Sequence, residues 1–362
     1  MQSENNSTNP YKQLSRTLNQ IPNGFPITDD GTHLRVLEWI FTPDEAELAS
    51  KLKLRGERIK RIAKRVNIPE KELSTKLEKM EKKGQIRSSK TKRGKKYGLL
   101  PFVVGIYEEQ LPRLTKEFSE LMEEYFKKTK GRIVFSYKPA VHRVIPVDKV
   151  IETNLRVHPY NQARKIIEKA KSWGVRECIC RKQQKLLGNL CSYPLEVCLA
   201  LSYEKNAFKN KEATKAISKQ EAIKILRKAE TAGLIHSTMN IASGHFYICN
   251  CCTCCCGVFK ALTKYKQPNA FVKADYVLSI NEELCIGCGK CLEKCQFNAL
   301  QIIEGKCQVN DRCVGCGVCA LVCPESALSL IPRDETEKPS KNIVFWMLKR
   351  ALKRGLNILK II

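Results

Sequence analysis

Nineteen cysteines, all between Cys178 and Cys323, are the residues of this 362-residue chain whose type and spacing can do chemistry. Residues 285–295 read Cys-Ile-Gly-Cys-Gly-Lys-Cys-Leu-Glu-Lys-Cys, and residues 313–324 read Cys-Val-Gly-Cys-Gly-Val-Cys-Ala-Leu-Val-Cys-Pro. Both follow C-x2-C-x2-C-x3-C, and the copies start 28 residues apart, so the pattern is an internal repeat. Three thiolates spaced in this way on a tight loop can cap three irons of a cubane. Gly287, Gly289, Gly315 and Gly317 let backbone amides approach its sulfides and stabilise their negative charge. Zinc would favour C-x2-C pairs separated by a longer loop, so the evenly spaced triplets favour cubanes. Cys307 lies outside both copies and reads as a buried free thiol.

Ten more cysteines lie upstream. Cys178 and Cys180 flank Ile179, Cys191 and Cys198 follow, and Cys249, Cys251, Cys252, Cys254, Cys255 and Cys256 put six thiols into eight residues. Crowded neutral thiols bring no packing advantage, whereas thiolates can share the charge of a metal. One or two further iron-sulfur centres are therefore expected here, with the ligand subset left open. For Cys198 the competing reading is a core residue on a helix starting after Pro194. Arg181 and Lys182 read either as charge balance for a cluster or as a solvated basic turn. His245, four residues before Cys249, is a candidate extra ligand.

The segment from about Asp275 to Asp334 resembles the bacterial-type two-cluster ferredoxins. The resemblance implies that Cys285, Cys288, Cys291 and Cys323 hold one 4Fe-4S cluster, and that Cys313, Cys316, Cys319 and Cys295 hold the other. Gln296 departs from it, standing where the first repeat of that family usually has proline, while Pro324 keeps the pattern. The whole layout is similar to a group of iron-sulfur proteins from anaerobes for which no reaction is established, and this similarity implies redox work.

The elements that must position these thiols read as α+β, in several domains. A partly ordered lead-in over residues 1–30 precedes a winged-helix-like domain over 31–100. In that domain Thr42-Pro43-Asp44-Glu45 opens a helix, a second spans 57–65, and a third spans 69–83 with Leu73, Leu77 and Met80 on one face and Gly84 as its stop. A basic hairpin over 85–100 follows, with its tip at Lys90 to Lys96. A mixed α/β, cysteine-rich domain over 101–274 has helices near 112–130 and 160–173, strand candidates at 133–137 and 141–147, and a helix from the capping box at Ser218 to a stop before Gly233. The ferredoxin-type domain occupies 275–334, and 335–362 reads as a basic amphipathic tail helix. Its apolar stripe is Phe345, Leu348, Leu352, Leu356 and Leu359, with Lys349, Arg350, Lys353, Arg354 and Lys360 on the other faces.

The chain carries 64 Lys plus Arg against 37 Asp plus Glu, a net charge of +27, with 43% hydrophobic residues. That apolar fraction excludes disorder throughout. An odd number of cysteines, several of them adjacent, and a polar Met1 to Pro10 argue against a disulfide-stapled secreted domain and for a reducing cytoplasm. Ile241 to Phe259 lacks Lys, Arg, Asp and Glu but is too rich in cysteine to face lipid. Positive charge concentrates between Lys51 and Leu100, with 19 basic against 5 acidic residues. Lys71, Lys76, Lys79, Lys82, Arg87, Lys92 and Arg93 would present it to phosphates, although the third helix offers few side chains for base edges. An acidic redox partner fits this surface better than nucleic acid. The tail could contact the inner face of a membrane or a partner protein, or it could pack back on its own protein. No Ser-His-Asp set, phosphate loop or dinucleotide fingerprint stands out. The expectation is an electron carrier or oxidoreductase subunit rather than a stand-alone catalyst; the alternatives are a redox-sensing DNA-binding regulator and an iron-sulfur enzyme with its substrate site at the upstream cysteines.

Overall fold

The computed structural model describes residues 9–92, 94–151 and 157–357. The chain divides into two compact units, Met1–Lys138 with Met347–Ile362, and Pro139–Trp346.

In the first unit, Asn9 accepts from the Tyr11 and Lys12 amides and opens the helix Pro10–Gln20. Thr32–Ile40 and Pro43–Ser50 follow, the latter with the reciprocal Thr42–Glu45 capping box that its sequence predicts. The helix expected from residue 57 starts at Ile59, because Glu57–Arg58 pairs as a short strand instead. That strand, β1, forms an antiparallel sheet with β2 (Ile86–Thr91) and β3 (Gly94–Leu99) in the order β1-β3-β2. Between them, the helix Glu70–Lys82 buries Leu73, Leu77 and Met80, as their spacing predicts, and Gly84 ends it at φ +70°. The helix expected near 112–130 spans Lys116–Thr129, capped by Thr115. The strand expected at 133–137 does not form. The carbonyls of Ile133 and Tyr137 are taken by the Arg350 guanidinium, at 2.8 and 2.6 Å, so they pair with a side chain rather than a neighbouring strand.

Arg350 also corrects the reading of the tail. The helix Ile343–Lys353 forms, but Arg350 is fully buried and donates to the Pro22 carbonyl at 2.9 Å as well. Arg354 turns inward too, donating to the Asn19 carbonyl at 2.7 Å, whereas Phe345 and Leu352 are exposed. Backbone carbonyls that lack partners attract guanidinium donors, and that demand outweighs the apolar stripe. Leu359 and Lys360 lie outside the described residues, as does Arg93 at the hairpin tip.

The second unit is built on a seven-stranded sheet comprising β4 (His142–Ile145), β5 (Ser172–Glu177), β6 (Glu196–Ser202), β7 (Lys215–Ile217), β8 (Ile235–Met239), β9 (Tyr247–Cys251) and β10 (Phe271–Val272). Their order is β10-β4-β8-β9-β6-β5-β7, and the β10–β4 pair alone is parallel. The helix expected over 160–173 is only Ala163–Lys169, and Trp173 lies on β5, with its indole donating to the Ile167 carbonyl at 2.8 Å. Gly174 and Val175 disfavour continuing the helix, and a strand buries Val175. Helix Lys219–Ala232 starts at the Ser218–Glu221 capping box, stops at Gly233 and packs Ala222 and Leu226 against Leu199, Leu201 and Ile248. The remaining strands, β11 (Tyr276–Ile280), β12 (Leu300–Ile303), β13 (Lys306–Val309) and β14 (Leu328–Pro332), form two antiparallel pairs, β11–β14 and β12–β13. The architecture is α+β. Among the described residues, no helix is long and apolar enough to cross a membrane.

Candidate metal centres

The repeat at 285–295 and 313–323 folds into two matching halves. Each half places glycines at positive φ, with Gly287 at +67° and Gly315 at +70°. A Cβ at Gly287 would run into the Gly305 carbonyl, and one at Gly315 into the Tyr276 carbonyl, so side chains are excluded at both positions. The halves also lock across one another. The Asn281 amide, four residues before Cys285, donates to the Ala327 carbonyl, four residues after Cys323, at 2.8 Å. The Asn310 amide, three residues before Cys313, donates to the Ala299 carbonyl, four residues after Cys295, at 2.9 Å. Each bond draws the last cysteine of one half toward the first cysteine of the other.

Accordingly, Cys285, Cys288, Cys291 and Cys323 line one small cavity. In the other half, burial pushes the Cys316 thiol up to about 12, and the charges of Cys313 and Cys295 add to this. Amides face the sulfurs: Ala299 donates to Cys295 Sγ, Ala327 to Cys323 Sγ and Cys307 to Cys285 Sγ, each at 3.3 Å. Eight thiols without nitrogen or oxygen ligands, all but the exposed Cys288 buried or half-buried, beside glycines and aimed amides, fit thiolate-held iron-sulfur clusters. Cys307 is buried, as expected, but it also lines the first cavity, 3.6 Å from Cys291 Sγ. Its place in the hairpin β12–β13 gave no sequence signal of that proximity. The lead into β11 is anchored by Asp275, which takes hydrogen bonds from fully buried Arg143 and from Asn161, both at 2.8 Å.

The ten upstream cysteines separate into two groups. On β9, Cys249 and Cys251 share a face because side chains alternate along a strand, and Asn250 between them points the other way. Cys198 lies on the adjacent strand β6, with Val197, Leu199 and Leu201 on its buried face. The helix considered after Pro194 is therefore a strand, and Cys198 does not lie on its core face. Cys178 and Cys256 cap the helices Ile179–Leu186 and Gly257–Thr263, and Cys180 lies in the first turn of the former. Together these six thiols close a ring of contacts in the order Cys178, Cys180, Cys256, Cys251, Cys249, Cys198 and back to Cys178. Hydrogen bonds from Cys180 and Cys198 hold the Cys178 thiol well below its ordinary range, and Arg181 adds to this against the effect of burial.

After Cys251 the strand gives way to a turn, closed by the Cys256 amide on the Cys252 carbonyl at 3.1 Å. The turn sends Cys252, Cys254 and Cys255 away from the ring to meet Cys191. Cys191 Sγ stands 4.0 Å from Cys252 Sγ and 3.8 Å from Cys254 Sγ, and Cys254 Sγ stands 3.7 Å from Cys255 Sγ. A hydrogen bond from Cys255 and the nearby Arg181 lower Cys252 to about 5 although burial opposes them.

Arg181 serves both groups. It is buried, donates twice to the Asn250 carbonyl at 3.1 Å, and reaches Cys252 Sγ at 3.7 Å. Burial favours its neutral form, but the charges of Cys178, Cys198 and Cys252 prevail and keep it cationic. Lys182 instead pairs with Glu177 at 2.6 Å. His245 joins neither group, its ring lying against Thr238 Oγ1 at 3.2 Å.

In the first unit, the expected basic surface is partly occupied. Arg87 donates to the Leu54 carbonyl at 2.6 Å, and Lys76 pairs with Glu72 at 2.8 Å. A basic groove lies instead along Lys53, Arg55, Arg58, Lys60, Arg61 and Lys96.

Residues 278–330 match the family described as 4Fe-4S dicluster domain. Comparison with curated proteins and with solved structures returns no match. The segment is thus of iron-sulfur, ferredoxin-like type, and the chain carries a metal-binding cysteine cluster beside it.

Proposed function

We propose that the chain is a multi-cluster electron-transfer protein that passes single electrons to an oxidoreductase partner. The observation that carries this reading is the exchange of backbone bonds Asn281–Ala327 and Asn310–Ala299 between the two halves. It supports one 4Fe-4S cluster on Cys285, Cys288, Cys291 and Cys323, and a second on Cys313, Cys316, Cys319 and Cys295. When bound, such clusters take up and release one electron with little rearrangement. The chain's own residues set the conditions. The amides of Ala299, Ala327 and Cys307 stabilise negative charge on the sulfurs, while Lys306, whose ammonium donates to the Cys285 carbonyl at 2.7 Å, adds positive charge nearby. The six-thiol ring is the upstream iron-sulfur centre, with Arg181 as its fixed countercharge.

The test is anaerobic purification of the full chain with iron and sulfide counting and electron paramagnetic resonance. The expected result is about eight irons per chain for the dicluster segment, with further iron and sulfide for the ring. Colourless protein carrying zinc in place of iron would overturn the reading.

A second reading has its own observation, the basic groove at Lys53 to Arg61 in a unit that joins helices to a hairpin in the manner of a winged helix. It predicts duplex binding that changes with cluster oxidation and weakens steeply with salt. A gel shift at near-physiological salt showing no affinity in either oxidation state eliminates it.

A further inference from the structure

We propose that Cys191, Cys252, Cys254 and Cys255 hold one tetrahedral divalent ion, zinc or ferrous iron, as a mononuclear site separate from the iron-sulfur centres. The argument is one of size. Four thiolates on one ion, each at a metal–sulfur distance of about 2.3 Å, lie along tetrahedron edges of about 3.8 Å. The observed separations are 3.7, 3.8 and 4.0 Å, and all four sulfurs lie within 4.8 Å of one another. In a cubane each thiolate caps a different iron, so its four ligands must stand further apart. The molecule supplies the comparison: among the described residues, neither four-cysteine set of the dicluster segment is as compact.

The donor set agrees with this assignment. Four soft thiolates without imidazole or carboxylate suit zinc or iron in tetrahedral geometry, and four protein ligands leave no open position for substrate. Cys252 and Cys255 are buried while Cys254 is exposed, so the ion can enter from the solvent side. A divalent ion with four thiolates carries two negative charges, and Arg181, 3.7 Å from Cys252 Sγ, offsets one of them. The site pins the Cys191 loop to the turn after β9, a structural task for which electron relay is not needed.

A mononuclear ion contains no inorganic sulfide, and this makes the test decisive. Full-length protein purified anaerobically is expected to hold one metal ion per chain in excess of its sulfide, with X-ray absorption at that metal's edge showing four sulfurs. Cys254→Ser is expected to lose that single ion with the sulfide count unchanged. Loss of about four irons together with four sulfides would instead make this set a cubane's, and retention of all metal would remove it from ligation; either result overturns the proposal. Should the variant fail to fold, wild-type protein with iron equal to sulfide and no other metal overturns it as well. Absence of the dicluster clusters would appear separately, as missing sulfide.

Discussion

The Gln296 carboxamide oxygen accepts a hydrogen bond from the Thr253 amide at 2.9 Å, while its amide group donates to the Gly233 carbonyl. Gln296 follows Cys295 in the dicluster segment, and Thr253 lies between Cys252 and Cys254. The side chain found where the ferredoxins this segment resembles usually have proline therefore joins two thiol centres. Cys295 has φ −81° and ψ 99°, extended values that a following proline tolerates. Gln296→Pro is thus expected to keep the dicluster iron and lose the bridge. Two lost hydrogen bonds should cost about 2 kcal/mol, a drop of about 4–8 °C in Tm at roughly 2–4 °C per kcal/mol. An unchanged melting curve would show that the bridge contributes nothing.

The crossed arrangement of the halves leads to a selective outcome. Cys295 is close in sequence to Cys291, but the Asn310–Ala299 bond holds it toward Cys313. Cys295→Ala should remove about four irons and spare the cluster of Cys285, Cys288, Cys291 and Cys323. Electron paramagnetic resonance of the reduced variant separates the two cases, because loss of that nearer cluster alone refutes the crossing.

Much of this site was legible in the sequence, and the reason is local. A C-x2-C-x2-C-x3-C loop with its glycines specifies its own geometry over eleven residues, as do the capping boxes at Thr42 and Ser218. What was not legible depends on distant partners. The division of Cys249 to Cys256 between two centres depends on where β9 ends, and Cys251 ends it because Ser237 to Ile235 of β8 runs no further beside it. The inward turn of the tail's Arg350 was hidden for the same reason: the carbonyls that recruit it belong to Pro22, Ile133 and Tyr137, more than two hundred residues away in sequence. Gln296 was visible as a departure, but its partners were not.

Arg181 should tune the upstream centre. Its guanidinium lies beside Cys178, Cys198 and Cys252, and a fixed positive charge favours the more negative, reduced state. Arg181→Met should lower the reduction potential of the ring centre by on the order of 50 mV, equivalent to about 1.2 kcal/mol for one electron. Arg181→Lys should recover part of that shift. Redox titration followed by electron paramagnetic resonance measures both, and a potential unchanged in the Met variant would remove Arg181 from this role.

Asp148 predicts a pH dependence of stability in the second unit. Its Oδ1 is buried without a hydrogen-bond partner, and burial pushes the carboxyl from 3.8 up to about 6, with His236 and Arg164 opposing and Glu230 reinforcing the rise. A carboxyl whose folded value lies above its unfolded value holds its proton more tightly when folded. Its contribution is therefore fully present below the unfolded value and is lost as pH rises through the folded one. With the folded value at about 6 against 3.8 unfolded, the ionised form costs up to about 3 kcal/mol at neutral pH. Asp148→Asn keeps the size and removes the charge. Anaerobic urea unfolding should show the wild type losing about 1–2 kcal/mol between about pH 5 and about pH 7 while the variant stays flat and is the more stable at neutral pH. Equal slopes in the two proteins would mean that Asp148 is ionised and solvated in the folded state.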